Sequence, residues 1–144
     1  MELLKTFNNL FDLSYLNEKP KEPERSIHQE LEGRCRSIAE EITDGLKSSD
    51  PDIFNRWHDE GQPEDFQPNG WDYIEDMLDI NYVVSGDCEY LGAQITITYG
   101  GPNIYIHTRS CTVKGYWGSD QAQWGYVDNI DLDYVCEELY NCGR

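Results

Sequence analysis

The sequence predicts an α+β fold in which N-terminal helices precede a three- to five-stranded antiparallel meander, with a C-terminal helix packed on the sheet. The period of the apolar residues predicts this order. Up to about residue 79 they recur every three or four positions, as on a helix, and afterwards every second position, as on a strand. The length of 144 residues suits one domain. We therefore expect a single domain over 1–144, helical over about 1–79, with the sheet and last helix over about 80–144.

Helical spacing predicts four helices in the first part of the chain. The second has the clearest start, because Ser26 is followed three residues later by Gln29, the signature of a capping box. The fourth is expected to turn Trp71, Ile74 and Leu78 inward. The predicted helices cover 2–17, 26–46, 50–57 and 71–79, with a Pro-containing linker at 18–24 and a loop at 61–70.

Alternation predicts strands at 80–85, 90–99, 104–109 and 112–117, then irregular chain or a short edge strand at 120–127. A last helix is expected at 129–141, with Asp128 as its cap. The apolar strand face is the expected core and carries Ile95, Ile97, Tyr99, Ile104, Ile106, Val113 and Trp117. The opposite face, which an antiparallel sheet can leave in water, carries Thr96, Thr98, Tyr105, His107, Arg109, Thr112, Lys114 and Tyr116.

The charge composition excludes several function classes. The chain has 28 acidic and 11 basic side chains and a net charge of -17. Direct binding to a nucleic-acid backbone or an anionic membrane is disfavoured, because both need clustered Lys and Arg. The sequence has no apolar run that would span a bilayer and no signal-peptide pattern at its start, so we expect a cytoplasmic protein.

The acidic residues are concentrated in one part of the chain. Residues 1–56 have a net charge of -4 and residues 57–144 a net charge of -13. Between Trp57 and Thr108 there is no Lys or Arg, which defines an acidic stretch without internal counterions. Its ten carboxylates, the first candidate partner-binding surface, belong to Asp59, Glu60, Glu64, Asp65, Asp72, Glu75, Asp76, Asp79, Asp87 and Glu89. Nearby aromatic residues are candidate hot spots: Trp57, Phe66, Trp71, Tyr73, Tyr82 and Tyr90.

Catalytic and metal-binding patterns are weak. The five cysteines show no Cys-x-x-Cys spacing, and we expect reduced, mostly buried thiols. The three histidines show no paired spacing for a metal or a general base. His107 and Cys111 could meet across a hairpin, but no third, orienting group is visible. We therefore expect no enzyme, no metal and no cofactor.

The segment GGPNIYIHTRSCTVKGYWGSD and the acidic helix ending EELYNC cover about residues 100–142. This stretch resembles small uncharacterised proteins of Firmicutes mobile elements. The small, strongly acidic chain as a whole resembles the phage and mobile-element inhibitors of bacterial defence nucleases, the anti-CRISPR and anti-restriction proteins. That resemblance implies a non-enzymatic inhibitor, most simply an anti-CRISPR, inside a bacterial host cell.

Two functional interpretations remain open. In the first, the acidic stretch binds a basic, nucleic-acid-binding surface of a Cas nuclease or another nucleic-acid-processing enzyme, as a nucleic-acid mimic or a steric block. In the second, the chain is a protein-binding module that docks through Tyr105, His107, Lys114 and Tyr116, and its acidity serves solubility.

Overall fold

The computed structural model describes residues 26–47, 55–57 and 66–143. Its helices and strands are α1 (Ile27–Thr43), α2 (Gly70–Glu75), β1 (Asp79–Val84), β2 (Tyr90–Thr98), β3 (Asn103–His107), β4 (Thr112–Trp117), β5 (Asp120–Gly125) and α3 (Leu132–Cys142). This order confirms the predicted α+β class. Residues 55–57, at the end of the predicted third helix, are helical. The predicted helix at 2–17, the linker at 18–24 and the first half of the loop, 61–65, lie outside the described residues.

The five strands form one open antiparallel sheet in sequence order, β1-β2-β3-β4-β5. Segment 120–125, predicted as irregular chain or an edge strand, is the edge strand β5. The register shifts between Thr96 and Thr98, so Thr98 pairs with the core residue Ile104. Thr98 was predicted on the outer face, and the irregularity is what moves it out of that alternation.

Helix α1 packs on β4 and β5. Its capping box forms as predicted, with Ser26 Oγ accepting from the N–H of Gln29 and Gln29 Oε1 accepting from the N–H of Ser26. The helix buries Leu31, Cys35, Ala39 and Ile42. A Cβ atom added at Gly115 of β4 would stand 2.7 Å from Leu31 Cδ1 and 2.8 Å from Cys35 Sγ. The missing side chain therefore allows the close approach of helix and sheet.

Helix α3 covers β2 on the same face of the sheet. It begins at Leu132, later than predicted, because Asp131 adopts a left-handed conformation with φ 55°. Asp128 still caps it, since its carboxylate accepts from the N–H groups of Leu132 and Asp133 at 2.8 and 3.0 Å. The two helices and the sheet enclose one core that contains Ile95, Ile106, Val113, Leu132 and Cys136.

Several side chains lie elsewhere than predicted. Helix α2 ends at Glu75, before the predicted end at 79, so Leu78 follows the helix and is 57% exposed. Trp71 is 43% exposed, and Tyr73 is buried in its place, stacked on the ring of Trp57. Tyr99 follows β2 and is exposed, whereas it was expected in the core.

Candidate functional site

Within 26–47, 55–57 and 66–143, no helix packs on one of the two faces of the sheet. Both α1 and α3 pack on the face that carries Gly115 and Ala93, and the opposite face is here called the open face. This face is not exposed throughout, because Thr96 near its centre, predicted on a solvated face, is 1% exposed and its hydroxyl has no hydrogen-bond partner among the described residues. Two register rows cross it. One row contains Asp79, Thr96, Tyr105, Lys114 and Gln123, and the next contains Asn81, Gln94, His107, Thr112 and Gly125.

Aromatic rings are neighbours on the open face. The ring centroids of Tyr105 and His107 are 6.5 Å apart, and those of Tyr105 and Tyr116 are 6.1 Å apart. Lys114 pairs directly with Tyr105 across β3 and β4. The sheet brings together the four residues predicted for the alternative surface, namely Tyr105, His107, Lys114 and Tyr116. Arg109, also predicted on this face, follows the end of β3 and lies against Gly92 of β2, where an added Cβ would stand 2.7 Å from Arg109 Cβ.

The open face is almost neutral, although the chain is strongly acidic. Asp79 and Lys114 are the charged residues of its two rows. Partial burial and the nearby Lys114 ammonium lower the pKa of His107, so the imidazole is neutral at pH 7. A groove of about 390 Å³ lies beside the rings, lined by Lys114, Tyr116, Gln121, Ala122 and Gln123. The face therefore offers rings and hydrogen-bonding groups with little net charge.

The described carboxylates of the acidic stretch form two groups. Asp72, Glu75, Asp76 and Asp79 occupy α2 and the chain that leads into β1. Asp87 and Glu89 lie in the turn between β1 and β2. The five residue steps from Asp79 to Val84 place the groups roughly 17 Å apart at 3.3 Å per residue. Asp59, Glu60, Glu64 and Asp65 lie outside the described residues.

None of the six described carboxylates forms an ion pair with a described residue. The ion pairs within the described ranges all involve helix α1, where Arg34 meets Glu30, Arg36 meets Glu40 and Arg56 meets Glu41. Arg34 and Arg36 also lie over the rings of Trp117 and Trp124. The Arg side chains of α1 thus form their ion pairs and ring contacts where this helix packs on the sheet. The carboxylates near β1 have no ion-pair partner among the described residues.

Two of the predicted hot-spot aromatics belong to the core. Trp57 is buried and stacks on buried Tyr73 with ring centroids 5.5 Å apart. The indole N–H of Trp57 donates to Glu41 Oε1 at 2.7 Å, which satisfies its polar group. These residues were misassigned because sequence proximity to carboxylates gives no information on burial. Trp71 and Tyr82 remain exposed.

A polar contact that the sequence did not predict fixes α3 to β2. The hydroxyl of Tyr90 donates to Asp133 Oδ1 at 2.6 Å, across 43 residues of sequence. Burial and the adjacent carboxylate raise the pKa of Tyr90. The rings of Tyr82, Tyr90 and Tyr140 contact one another beside this hydrogen bond. No short-range pattern predicts a pairing of this sequence separation.

The cysteine environments do not favour thiolate chemistry. Burial raises the pKa of Cys35 to about 11 and that of Cys136 to about 12. Burial and the nearby Asp128 and Asp133 raise the pKa of Cys111, whose sulfur contacts the carbonyl of Thr108 at 3.5 Å. The prediction of mostly buried thiols is wrong in part, because Cys88 and Cys142 are exposed.

A second cavity, of about 360 Å³, lies between the end of α1 and the chain before α3. Its lining includes Asp44, Lys47, Gln67, Asn129 and Asp131. Within the described ranges, no three His, Cys, Asp or Glu side chains are grouped to hold a metal ion. In the same part of the chain, no helix is both long enough and apolar enough to cross a bilayer.

No family model, no curated protein and no solved structure matches the chain. The carboxylates near β1 and the open face are therefore the two candidate binding surfaces.

Proposed function

We propose that this protein is a non-enzymatic inhibitor that binds a basic, nucleic-acid-binding surface of a bacterial defence nuclease, in the manner of an anti-CRISPR. Its carboxylates stand in for phosphates, as a nucleic-acid mimic or a steric block of a CRISPR effector. The observation that carries the proposal is the set of described carboxylates at the two ends of β1, none of which forms an ion pair with a described residue and five of which are exposed. Unpaired exposed carboxylates keep their charge available to Arg and Lys of a partner.

The spacing of these charges supports the mimicry. The two groups of carboxylates stand at the two ends of β1, with roughly 17 Å of strand between them. A single nucleic-acid strand carries about one charge per 3.4 Å, or about five over 17 Å. Cations of a partner that contact phosphates about five positions apart on one strand would therefore be spaced to meet both groups. The partner's positive field would accelerate encounter at low salt.

The proposal is tested with two variants that have the same net charge but carry their charge reversals at different positions. One variant reverses to Lys four exposed carboxylates at the two ends of β1 that accept no hydrogen bond from a described residue: Glu75, Asp76, Asp87 and Glu89. A matched control, with the same change in net charge, reverses four carboxylates on α1, at its C-cap and on α3: Glu32, Asp44, Glu137 and Glu138. The protein would first be used to capture partners from a bacterial lysate at about 50 mM and then about 500 mM salt.

We expect capture of a nucleic-acid-processing enzyme at low salt and its release at high salt. In a target-cleavage assay with the captured nuclease, the β1 variant should inhibit at least about tenfold less than the control. Inhibition that persists in the β1 variant, with an unchanged circular dichroism spectrum, would contradict the proposal. An affinity that is flat between the two salt concentrations would also contradict it.

The second candidate function is docking of a protein partner through the open face. The contacting rings of Tyr105, His107 and Tyr116 favour it, because Tyr is enriched at binding hot spots. Replacing Tyr105 and Tyr116 with Ala distinguishes the candidates. If this pair of substitutions abolishes binding while the β1 variant still binds, the open face is the docking surface and the acidity serves solubility.

A further inference from the structure

The outer edge of β1 has no strand beside it in the described part of the chain. The register shows which backbone groups this edge presents. The N–H of Thr108 donates to the carbonyl of Ala93, so the backbone groups of Ala93 point toward β3. Backbone groups alternate in direction along a strand, so those of Gly92 and Gln94 point toward β1. Their partners Val83 and Asn81 bond inward.

The residues of β1 that alternate with Asn81 and Val83 therefore direct their backbone groups away from β2, toward the free edge. Ile80, Tyr82 and Val84 present N–H and C=O groups to the free edge. One of these donors has a partner, because the N–H of Ile80 donates to Asp79 Oδ1 at 2.9 Å. Because this N–H is bonded to a side chain of its own strand, the bond is consistent with the backbone groups of Ile80 facing the free edge. It leaves the backbone groups of Tyr82 and Val84 as the unpaired positions of the edge in the described structure.

The side chains around this edge are apolar and exposed. Val83 and Val84 are 43% and 41% exposed, and Leu91 on β2 is 39% exposed. An exposed, apolar edge strand is a template for another strand unless something protects it. Two features protect part of this edge: the register irregularity at Val83 and Val84, and Asp79 at the first position of β1; the strand contains no Pro and no Lys.

Charge selects what can pair there. Asp79 stands at one end of the edge, and Asp87 and Glu89 follow its other end. A second copy of this chain would bring another net charge of -17 to the same place, which opposes pairing between copies. An incoming strand with Lys or Arg at its ends would meet a carboxylate at each end.

We propose that the β1 edge binds an extended basic segment of a protein partner by β-strand addition. The segment is apolar in its centre, so that it packs against Val83 and Val84 of β1, and it carries cations at both ends. Its backbone pairs with the free N–H and C=O groups of Tyr82 and Val84. The inference rests on the proposed function for the basic character of the partner, and it specifies where and how that partner is engaged.

A model peptide tests the pairing directly. The probe is a capped peptide of sequence Lys-Thr-Val-Thr-Val-Thr-Val-Lys, titrated into the full chain. The control probe has the same sequence with N-methyl groups on two adjacent central residues, which removes one N–H from each edge of the peptide. We expect amide hydrogen exchange of Tyr82 and Val84 to slow at least about tenfold with the first probe, while Asn81, already bonded inside the sheet, stays unchanged.

Variants of the edge provide the second arm. Val84→Pro removes an outward N–H at an edge position where Pro is tolerated, and Val84→Thr changes the side chain but keeps the N–H. We expect the Pro variant to bind the peptide at least about tenfold more weakly and the Thr variant to bind as the parent does. Equal binding of the two probes would overturn the inference, because charge alone would then explain the binding. Protected Tyr82 and Val84 amides in the free protein would also overturn it, since the edge would then be occupied.

Failure of this inference can be told from failure of the proposed function. If Val84→Pro still captures and inhibits the nuclease while the four-carboxylate β1 variant does not, strand addition is wrong and the acidic surface stands. If neither variant loses inhibition, both are wrong. If both lose it and the N-methylated probe fails to bind, both are supported.

Discussion

Substitution of Gly115 by Ala tests the packing of α1 on the face of the sheet opposite the open face. The added Cβ would stand 2.7 Å from Leu31 Cδ1 and 2.8 Å from Cys35 Sγ. Both distances are well below the 3.4 Å at which ordinary van der Waals contact begins. Helix α1 or its side chains must therefore move by more than half an ångström in a close-packed core.

The expected cost follows from two opposing effects. Overpacking of a core by one methyl group destabilises by about 1–3 kcal/mol. Replacing Gly with Ala returns about 0.5–1 kcal/mol by restricting the unfolded chain. We expect a net loss of about 1–2 kcal/mol in the free energy of unfolding. For a chain of this length, that corresponds to a decrease in Tm of about 2–8 °C.

Urea denaturation followed by far-UV circular dichroism measures this loss as a lower midpoint at constant m-value. Gly86→Ala is the matched control, because no atom lies within 4 Å of its added Cβ. Its stability should be unchanged or slightly higher. A Gly115→Ala variant as stable as Gly86→Ala would refute the packing of α1 on β4. The assignment of Tyr105 and Lys114 to an uncovered face would then fail with it.

Three further predictions concern individual groups. Tyr90→Phe should lower the free energy of unfolding by about 1–3 kcal/mol in thermal or urea denaturation, because the bond to the Asp133 carboxylate is lost. The pKa of His107 is lowered on folding, so the unfolded chain binds its proton more readily, and stability should fall as pH drops through about 6.5. His107→Gln should show a smaller decrease in unfolding free energy between about pH 7.5 and 5.5. Iodoacetamide labelling followed by mass spectrometry should modify Cys88 and Cys142 at least about tenfold faster than Cys35 and Cys136.

Each of these has a result that would contradict it. Two results with Asp133→Asn would contradict the hydrogen bond between Tyr90 and Asp133. One is no loss of unfolding free energy in the parent, and the other is a loss in the Tyr90→Phe background that equals the loss in the parent. Identical pH profiles for the parent and His107→Gln would show that His107 does not titrate differently in the folded state. Equal labelling rates for the four cysteines would mean that the buried thiols are accessible.

Local patterns were sufficient for much of the fold. The alternation in β2 to β4 placed the central strands to within about two residues, and the capping box at Ser26 placed the start of α1 to within one residue, although the helix ends three residues earlier than predicted. Local patterns failed where a boundary depends on distant contacts. The N–H of Gly70 donates to the carbonyl of Ile130, so α2 is fixed by a segment sixty residues away. Leu78 and Trp71 were misplaced for that reason.

The candidate surfaces were predicted to different extents. Strand alternation assigned Tyr105, His107, Lys114 and Tyr116 to one face, because successive side chains of a strand point to opposite sides. The acidic stretch was visible as a run without cations, but its division into two groups was not. A strand separates charges that are near in sequence, by about 3.3 Å per residue. The burial of Trp57 against Tyr73 was equally invisible.

The sequence by itself determined the α+β class, the strand alternation and the net charge of -17, because these depend on local periodicity and composition. The tertiary structure decided that α1 and α3 pack on the same face of the sheet and that the cations of α1 pair within that layer. It also decided that β1 is the edge of the sheet with no further strand beside it among the described residues. These features arise from contacts between residues far apart in the chain. Such contacts are set by which surfaces fit together, and no local pattern contains that information.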